Sequence, residues 1–300
     1  MKTLSAAIVL SLSLALLPAP HGSLSQAMAH EEMGVDVPQH LQEISVTIRA
    51  GRSEGSGVAF VRDGVTYIWT AAHVVDGLRG TREVIDPKTG SKRTVVEFED
   101  AKVVKMLSEN GRTVGRIEMD AEVIRYSNFN YGEDLALLRV RKKGFIKTSA
   151  RFFLDNKLPK LGTRLVHVGS LLGSVGSNSL TDGVMSQHGR LIGKTVYDQT
   201  TVTAFPGSSG GGVYLTDGRY IGMLVRGAGE GFNLIVPIRR LQAWAKRAGV
   251  EWAVDPKVKM PSKEELDKLP IEDVGGKSSG SKNGKSFPFL IKITEQIKDA

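Results

Sequence analysis

The chain has 300 residues, 41% of them hydrophobic, enough for a substantial core in one or two domains. It contains no cysteine, which excludes a disulfide framework, a thiol nucleophile and a thiolate metal site. The formal charge of +8 comes from basic residues interleaved with acids, the pattern of a solvated surface rather than of a nucleic-acid track.

Lys2 precedes an apolar stretch from Leu4 to Leu17, too short and too early for a spanning helix. Small residues follow, and Ala27-Met28-Ala29 has the form of a signal-peptidase site. A signal peptide over residues 1–29 and an exported mature chain are expected, with a retained amphipathic anchor as the alternative.

From Leu41 onward, short apolar or alternating runs separated by turn residues give an all-β rhythm. Strands are expected at Ile44 to Ile48, Gly57 to Val61, Thr66 to Thr70, Thr94 to Phe98, Ala121 to Arg125 and Leu135 to Val140. The charged stretch from Thr81 to Asp120 reads as extended strands and loops, with a type I′ hairpin turn at Asn110-Gly111. After a linker at Asp155 to Lys160 the rhythm restarts. Further strands are expected at Arg164 to Val168, Gly183 to Ser186, Thr200 to Thr203, Gly212 to Leu215, Tyr220 to Val225 and Asn233 to Val236.

Two β-rich halves of similar length point to a pair of barrels rather than one sandwich. Pro237 opens a helix, Ile238 to Ala248, whose Leu241, Trp244 and Ala245 share one face and which Gly249 stops. Beyond it the composition becomes polar and lysine-rich, so residues 253–300 are expected to form a flexible tail. Lys277 to Lys282 reads as a linker, and Phe287 to Ile293 is apolar enough to dock.

Three motifs fail on counting. Gly193-Lys194-Thr195 lacks the first glycine of a phosphate loop, which falls at His188. His30-Glu31 lacks the second histidine of a zinc helix, where Gly34 stands. Gly169, Gly173 and Gly176 are not followed by a helical pattern, as a dinucleotide fingerprint requires.

Three segments do combine. Thr70-Ala71-Ala72-His73 ends a strand-like run, Glu133-Asp134 leads into the apolar run Leu135-Ala136-Leu137-Leu138, and Gly207-Ser208-Ser209-Gly210-Gly211 is a loop of small residues. A serine hydroxyl is a weak nucleophile until an imidazole accepts its proton. The imidazole in turn needs an acid on its other nitrogen. Glycines beside the serine let backbone N–H groups turn toward a developing oxyanion.

T-A-A-H, D-L-A-L-L and G-x-S-G-G in this order resemble the chymotrypsin/trypsin clan, and most of all its cysteine-free bacterial members related to the HtrA (Deg) proteases. Val168-Gly169-Ser170, Thr181-Asp182-Gly183-Val184-Met185-Ser186, Ile221-Gly222-Met223 and Gly231 to Pro237 are similar to further stretches of that family. The resemblance runs from about Ile44 to Gly249. It implies a protease domain over residues 36–252, built of two six-stranded antiparallel β-barrels with a C-terminal helix, acting on protein or peptide substrates.

It also implies that Ser209 is the nucleophile, His73 the base and Asp134 the orienting acid, with Glu133 a weaker competitor. The N–H groups of Gly207 and Ser209 would form the oxyanion hole, and neither metal nor cofactor takes part. Thr203, at the base of the specificity pocket, with Ala204, Val225, Arg226 and Gly227 along its walls, implies cleavage after small or medium uncharged residues. Arg226 either attracts an acidic residue or points to solvent.

Two departures stand out. Ser208 replaces the aspartate with which animal trypsins complete activation, and a short basic-polar tail stands where HtrA proteins continue into PDZ domains. A non-catalytic peptide-binding module is the rival class, although such proteins usually lose a member of the triad. The nucleophile elbow of the α/β-hydrolases fits Gly207 to Gly211 formally, but that fold needs a histidine after the serine and none follows His188.

Overall fold

In the computed structural model, residues 36–109, 112–227 and 231–273 are described. A short helix α1 (Val37–Glu43) leads into the meander β1 (Ser45–Ala50), β2 (Ser53–Arg62) and β3 (Val65–Thr70). The one-turn helix α2 (Ala72–Val75) follows. Next come β4 (Arg79–Ile85) and β5 (Lys92–Phe98), which pair only with each other, and then β6 (Ala101–Glu109), β7 (Arg112–Ser127) and β8 (Leu135–Val140). Strands β1-β2-β3-β8-β7-β6 close into a six-stranded antiparallel barrel. All six residues of β8 are buried, which accounts for its apolar run Leu135 to Leu138, and the buried Arg139 is paired with Glu122 and Asp267.

The second half contains β9 (Arg151–Phe152), β10 (Arg164–Leu171), β11 (Gly176–Ile192), β12 (Thr195–Thr200), β13 (Gly212–Leu215), β14 (Arg219–Gly227) and β15 (Asn233–Pro237). Their order is β13-β10-β11-β12-β15-β14-β9, and a further pairing of β13 with β14 closes the first six into a ring. Strand β9 joins β14 in parallel as a seventh. The two-barrel expectation holds.

Some boundaries differ from the sequence reading. The expected strand Thr200 to Thr203 ends at Thr200, where the chain leaves the sheet and Thr200 Oγ bonds back to Val184 O at 3.1 Å. The short strand expected at Gly183 to Ser186 is part of the 17-residue β11. Asn110-Gly111 lies outside the described residues, although Glu109 and Arg112 on either side are register partners. The expected signal peptide, the Lys277 linker and the Phe287 segment also lie outside them.

Helix α3 (Ile238–Arg247) forms where expected and buries Leu241, Trp244 and Ala245. Trp244 meets Trp69 of β3 edge-on, with ring centroids 5.8 Å apart. The tail expected from residue 253 is not free as far as residue 273. Val254 and Leu266, the latter in helix α4 (Lys263–Lys268), are buried, because a few well-spaced apolar residues suffice to dock an otherwise polar segment. Buried Arg125 donates to Ala248 O and Leu266 O, and burial pushes its pKa down to about 10. Asp273 accepts from Trp244 Nε1 at 2.7 Å and from Ser127 Oγ at 2.8 Å, and Ser127 Oγ accepts from Glu133 N. The last described residues thereby brace the loop that carries Asp134. Among the described residues, no helix is long and apolar enough to cross a membrane.

Candidate active site

His73 sits in α2, directly after β3, where Tyr67↔Arg139 to Thr70↔Ala136 pairing lays β3 beside β8. Asp134 precedes β8, so the pairing of these two strands brings the residues together. His73 Nδ1 lies 3.0 Å from both Asp134 oxygens, and His73 N–H donates to Asp134 Oδ1 at 3.1 Å. Asp134 is 2% exposed and holds a left-handed φ of 57°, a conformation that aspartate tolerates better than most residues.

Burial alone would lower the His73 pKa, but the charge and hydrogen bond of Asp134 outweigh it and leave the value above 6.5. Burial likewise opposes ionisation of Asp134, whose pKa is nevertheless lowered by the charge of His73 and by its ring and backbone hydrogen bonds. Glu133 does not compete for the imidazole. Its carboxylate binds Arg240 at 2.6 Å and Arg247 at 2.5 Å.

The loop around Ser209 opens with a turn over Phe205–Ser208, in which Ser208 N–H donates to Phe205 O at 2.9 Å. Pro206 at its second position and Gly207 at its third, with φ 96°, make it type II. From there the carbonyls are held in succession. Pro206 O accepts from Leu172 N, Gly207 O from Ser56 Oγ, Ser208 O from Gly211 N and Ser209 O from Ser56 N. Gly210 N–H donates to Leu224 O of β14. Among the described residues, the N–H groups of Gly207 and Ser209 have no acceptor.

In a trans peptide the N–H points opposite to the carbonyl, so fixing Pro206 O and Ser208 O also fixes the directions of these two free donors. Gly210, with φ 88°, lies so close to β3 that a Cβ there would fall 2.4 Å from Thr70 Oγ. That approach packs the serine loop against the end of the strand leading to His73. Ser209 is 5% exposed, and its Oγ has no hydrogen-bond partner among the described residues.

The expected pocket residues differ in exposure. Thr203 is exposed and its carbonyl accepts from Thr181 Oγ, Ala204 is half-buried, and Val225 and Gly227 are buried. Arg226 does not extend into solvent. It is half-buried, with its guanidinium 5.4 Å from the centre of the Tyr197 ring, and no carboxylate partner occurs among the described residues. Sequence reasoning missed Ser56, which reaches Gly207 O and Ser209 O in the serine loop. Its only signal was a serine between Gly55 and Gly57, just before the apolar run Val58 to Val61.

The profile of a trypsin-like peptidase domain matches residues 55–223, more than half of the chain and all three members of the constellation. The chain belongs to the trypsin-like peptidase family. It is similar to the serine protease Do-like HtrA of Lactobacillus helveticus, 31% identical over 177 residues, which are 57% of this chain and 35% of the relative. The corresponding protein of Lactococcus lactis subsp. lactis is 28% identical over 181 residues, 57% of this chain and 36% of that one. The matched region thus spans about a third of the length of these relatives.

Two solved structures share the fold of this trypsin-like chain. Deg5 has a TM-score of 0.51 at 23% identity, covering 71% of this chain and 92% of Deg5. An inactive form of the Rv3671c protease has a TM-score of 0.52 at 17% identity, covering 78% and 100%. Ser208, the position at which this family member departs from animal trypsins, is fully buried. Its Oγ accepts from Phe205 N at 3.2 Å, so the residue closes the local turn.

Proposed function

We propose that the protein is a serine endopeptidase that hydrolyses peptide bonds through Ser209, His73 and Asp134. The observation that carries this reading is the loop itself, in which Gly207 and Ser209 each present a free N–H while Gly210 packs against the strand leading to an Asp134-bound imidazole. Ser209 Oγ attacks the substrate carbonyl carbon while its proton passes to His73 Nε2. The oxyanion that forms takes hydrogen bonds from Gly207 N and Ser209 N. Collapse breaks the C–N bond, and the proton on His73 leaves with the amine. Water then attacks the acyl ester by the same route, returning the proton to Ser209. Asp134 stays ionised throughout and holds the Nδ1 proton. The leader expected over residues 1–29 makes export part of the same proposal.

The reaction needs neutral His73. Because the pKa of this imidazole is raised by Asp134, the active form is lost as pH falls through a value above the ordinary imidazole range. The kcat/KM profile of the purified protein on a peptide substrate should therefore rise with pH through an acid limb above that range. A limb below the ordinary imidazole range would contradict a base held by a carboxylate.

Thr203, Ala204, Val225, Arg226 and Gly227 are the proposed substrate contacts. Neither Thr203 nor Ala204 offers the anion that a buried Arg or Lys side chain requires, so cleavage should follow small or medium uncharged residues such as Val, Ala and Leu. Mass-spectrometric profiling of a peptide library checks this. Dominant cleavage after Arg or Lys would overturn the assignment of the pocket, and dominant cleavage after Glu would give its chemistry to Arg226.

A further inference from the structure

Every polar group of Ser56 that can form a hydrogen bond is used, and two of the four bonds run directly to the serine loop. The residue is 1% exposed in β2. Its N–H donates to Ser209 O and its Oγ donates to Gly207 O, both at 2.7 Å. The same Oγ accepts from Ser170 N, and Ser56 O accepts from Thr70 Oγ, again at 2.7 Å. One hydroxyl therefore joins the first barrel to the end of β10 and to the nucleophile loop. Its carbonyl meets the strand that ends three residues before His73.

Two residues earlier a second contact reaches the same region. Glu54 accepts from Ser174 N at 2.9 Å and from Ser174 Oγ at 2.8 Å, and Arg49 Nε pairs with its carboxylate at 3.0 Å. The Glu54 carboxyl is held below the usual carboxylate range: burial works against ionisation, and the bonds from Ser174 and Arg49 overcome it. Ser174 closes the turn that begins at Leu172, a residue forced to φ 59°. Leu172 N–H is the group that holds Pro206 O at 2.7 Å. A Cβ at Gly207 would fall 2.2 Å from Ser170 O and 2.5 Å from Gly173 N, so this turn and the oxyanion loop are in direct contact.

We propose that Ser56 is a positioning residue for the oxyanion hole, with Glu54 as its outer arm, so that one edge of the first barrel sets the peptide planes that aim Gly207 N–H and Ser209 N–H. The inference rests on the reading of these two groups as the oxyanion donors. Ser56 touches no substrate. It fixes the Gly207–Ser208 peptide that lies between the two donor planes, while Glu54, through the Leu172 turn, fixes the plane before it. Without the hydroxyl, Gly207 O loses its donor and the Gly207–Ser208 peptide can tilt, and a donor displaced by about 1 Å costs on the order of 10²-fold in rate.

The test uses the full chain, with a neutral peptide substrate, a peptide boronate that mimics the tetrahedral intermediate, and the non-reacting product peptide. Ser56→Ala should lower kcat about 10²-fold with KM unchanged. It should weaken the boronate by a similar factor and leave product-peptide affinity as in the wild type. Glu54→Ala, at an exposed side chain, should lower kcat about 10-fold in the same pattern, about a tenth of the effect of a fully displaced donor. Glu54→Gln keeps an acceptor for Ser174 N and should restore most of that loss. If Ser56→Ala does not fold, the Glu54 pair carries the test. Unchanged kcat in Ser56→Ala or in Glu54→Ala would overturn the proposal, as would equal weakening of boronate and product peptide. A wild type that cleaves nothing and ignores the boronate would instead overturn the protease reading itself.

Discussion

Ser209→Ala protein should lose about 10⁶-fold in kcat while unfolding at the wild-type temperature. The loss corresponds to about 8 kcal/mol of transition-state stabilisation. It is large because covalent catalysis disappears entirely: the remaining methyl cannot form the acyl ester, and the free N–H groups of Gly207 and Ser209 then act on water attack alone. The fold should not respond. Ser209 Oγ has no partner among the described residues, so removing it strands no buried donor or acceptor. The loop is held by the backbone carbonyls of Pro206 to Ser209, all of which remain. Kinetics on a peptide substrate and a thermal melt of the same preparation check both halves. A variant retaining a thousandth of wild-type activity would give the chemistry to another residue.

Asp134→Asn should cost about 10⁴-fold in kcat, the loss that this replacement causes in the template Ser-His-Asp mechanism. The backbone N–H of His73 already donates to Oδ1, so an asparagine would keep its oxygen there and turn its amide toward Nδ1. That amide donates. Nδ1 must then accept, and the single proton of neutral His73 moves to Nε2, the atom that has to take the proton from Ser209. The left-handed φ of 57° suits asparagine at least as well as aspartate, so the fold should survive. The variant also loses the charge that raises the His73 pKa, so the acid limb of its residual activity should move to lower pH than in the wild type. Measuring kcat against pH for both proteins checks the magnitude and the direction together. A loss with no movement of the limb would mean that Asp134 acts by packing.

The pairing of His73 with Asp134 was legible in the sequence because each residue stands in a local setting that a motif preserves. T-A-A-H and D-L-A-L-L locate His73 and Asp134 on a strand end and a strand start, and the pairing of β3 with β8 then does the rest. The glycines around Ser209 were legible for a similar reason, since φ values of 96° at Gly207 and 88° at Gly210 restrict the residue type.

Other features depend on tertiary contacts that leave little local trace. Ser56 stands just outside the strand expected at Gly57 to Val61, and only the meeting of β2, β10 and the serine loop gives its hydroxyl two partners. The segment from 253 to 273 reads as polar because its anchoring depends on few residues, Leu266 and Asp273 among them, and on carbonyls that satisfy buried Arg125. Thr201 to Thr203 have the β-branched character of a strand, yet they leave the sheet after Thr200. There Asn233 Nδ2 takes Val202 O at 2.7 Å in place of a ladder partner. Arg226 could not be assigned a direction from sequence, because its resting place is the face of Tyr197 on another strand.

One serine of this chain should be activated as a nucleophile, and active-site labelling reports that activation. The purified protein is incubated with a fluorophosphonate at a pH above the acid limb, and the modified residue is located by tandem mass spectrometry. A single adduct on Ser209 is expected, resolved from Ser208 by fragmentation, absent in Ser209→Ala and slowed when pH falls through the limb. A folded preparation that takes up no label, or that carries it on Ser208 or elsewhere, would contradict it.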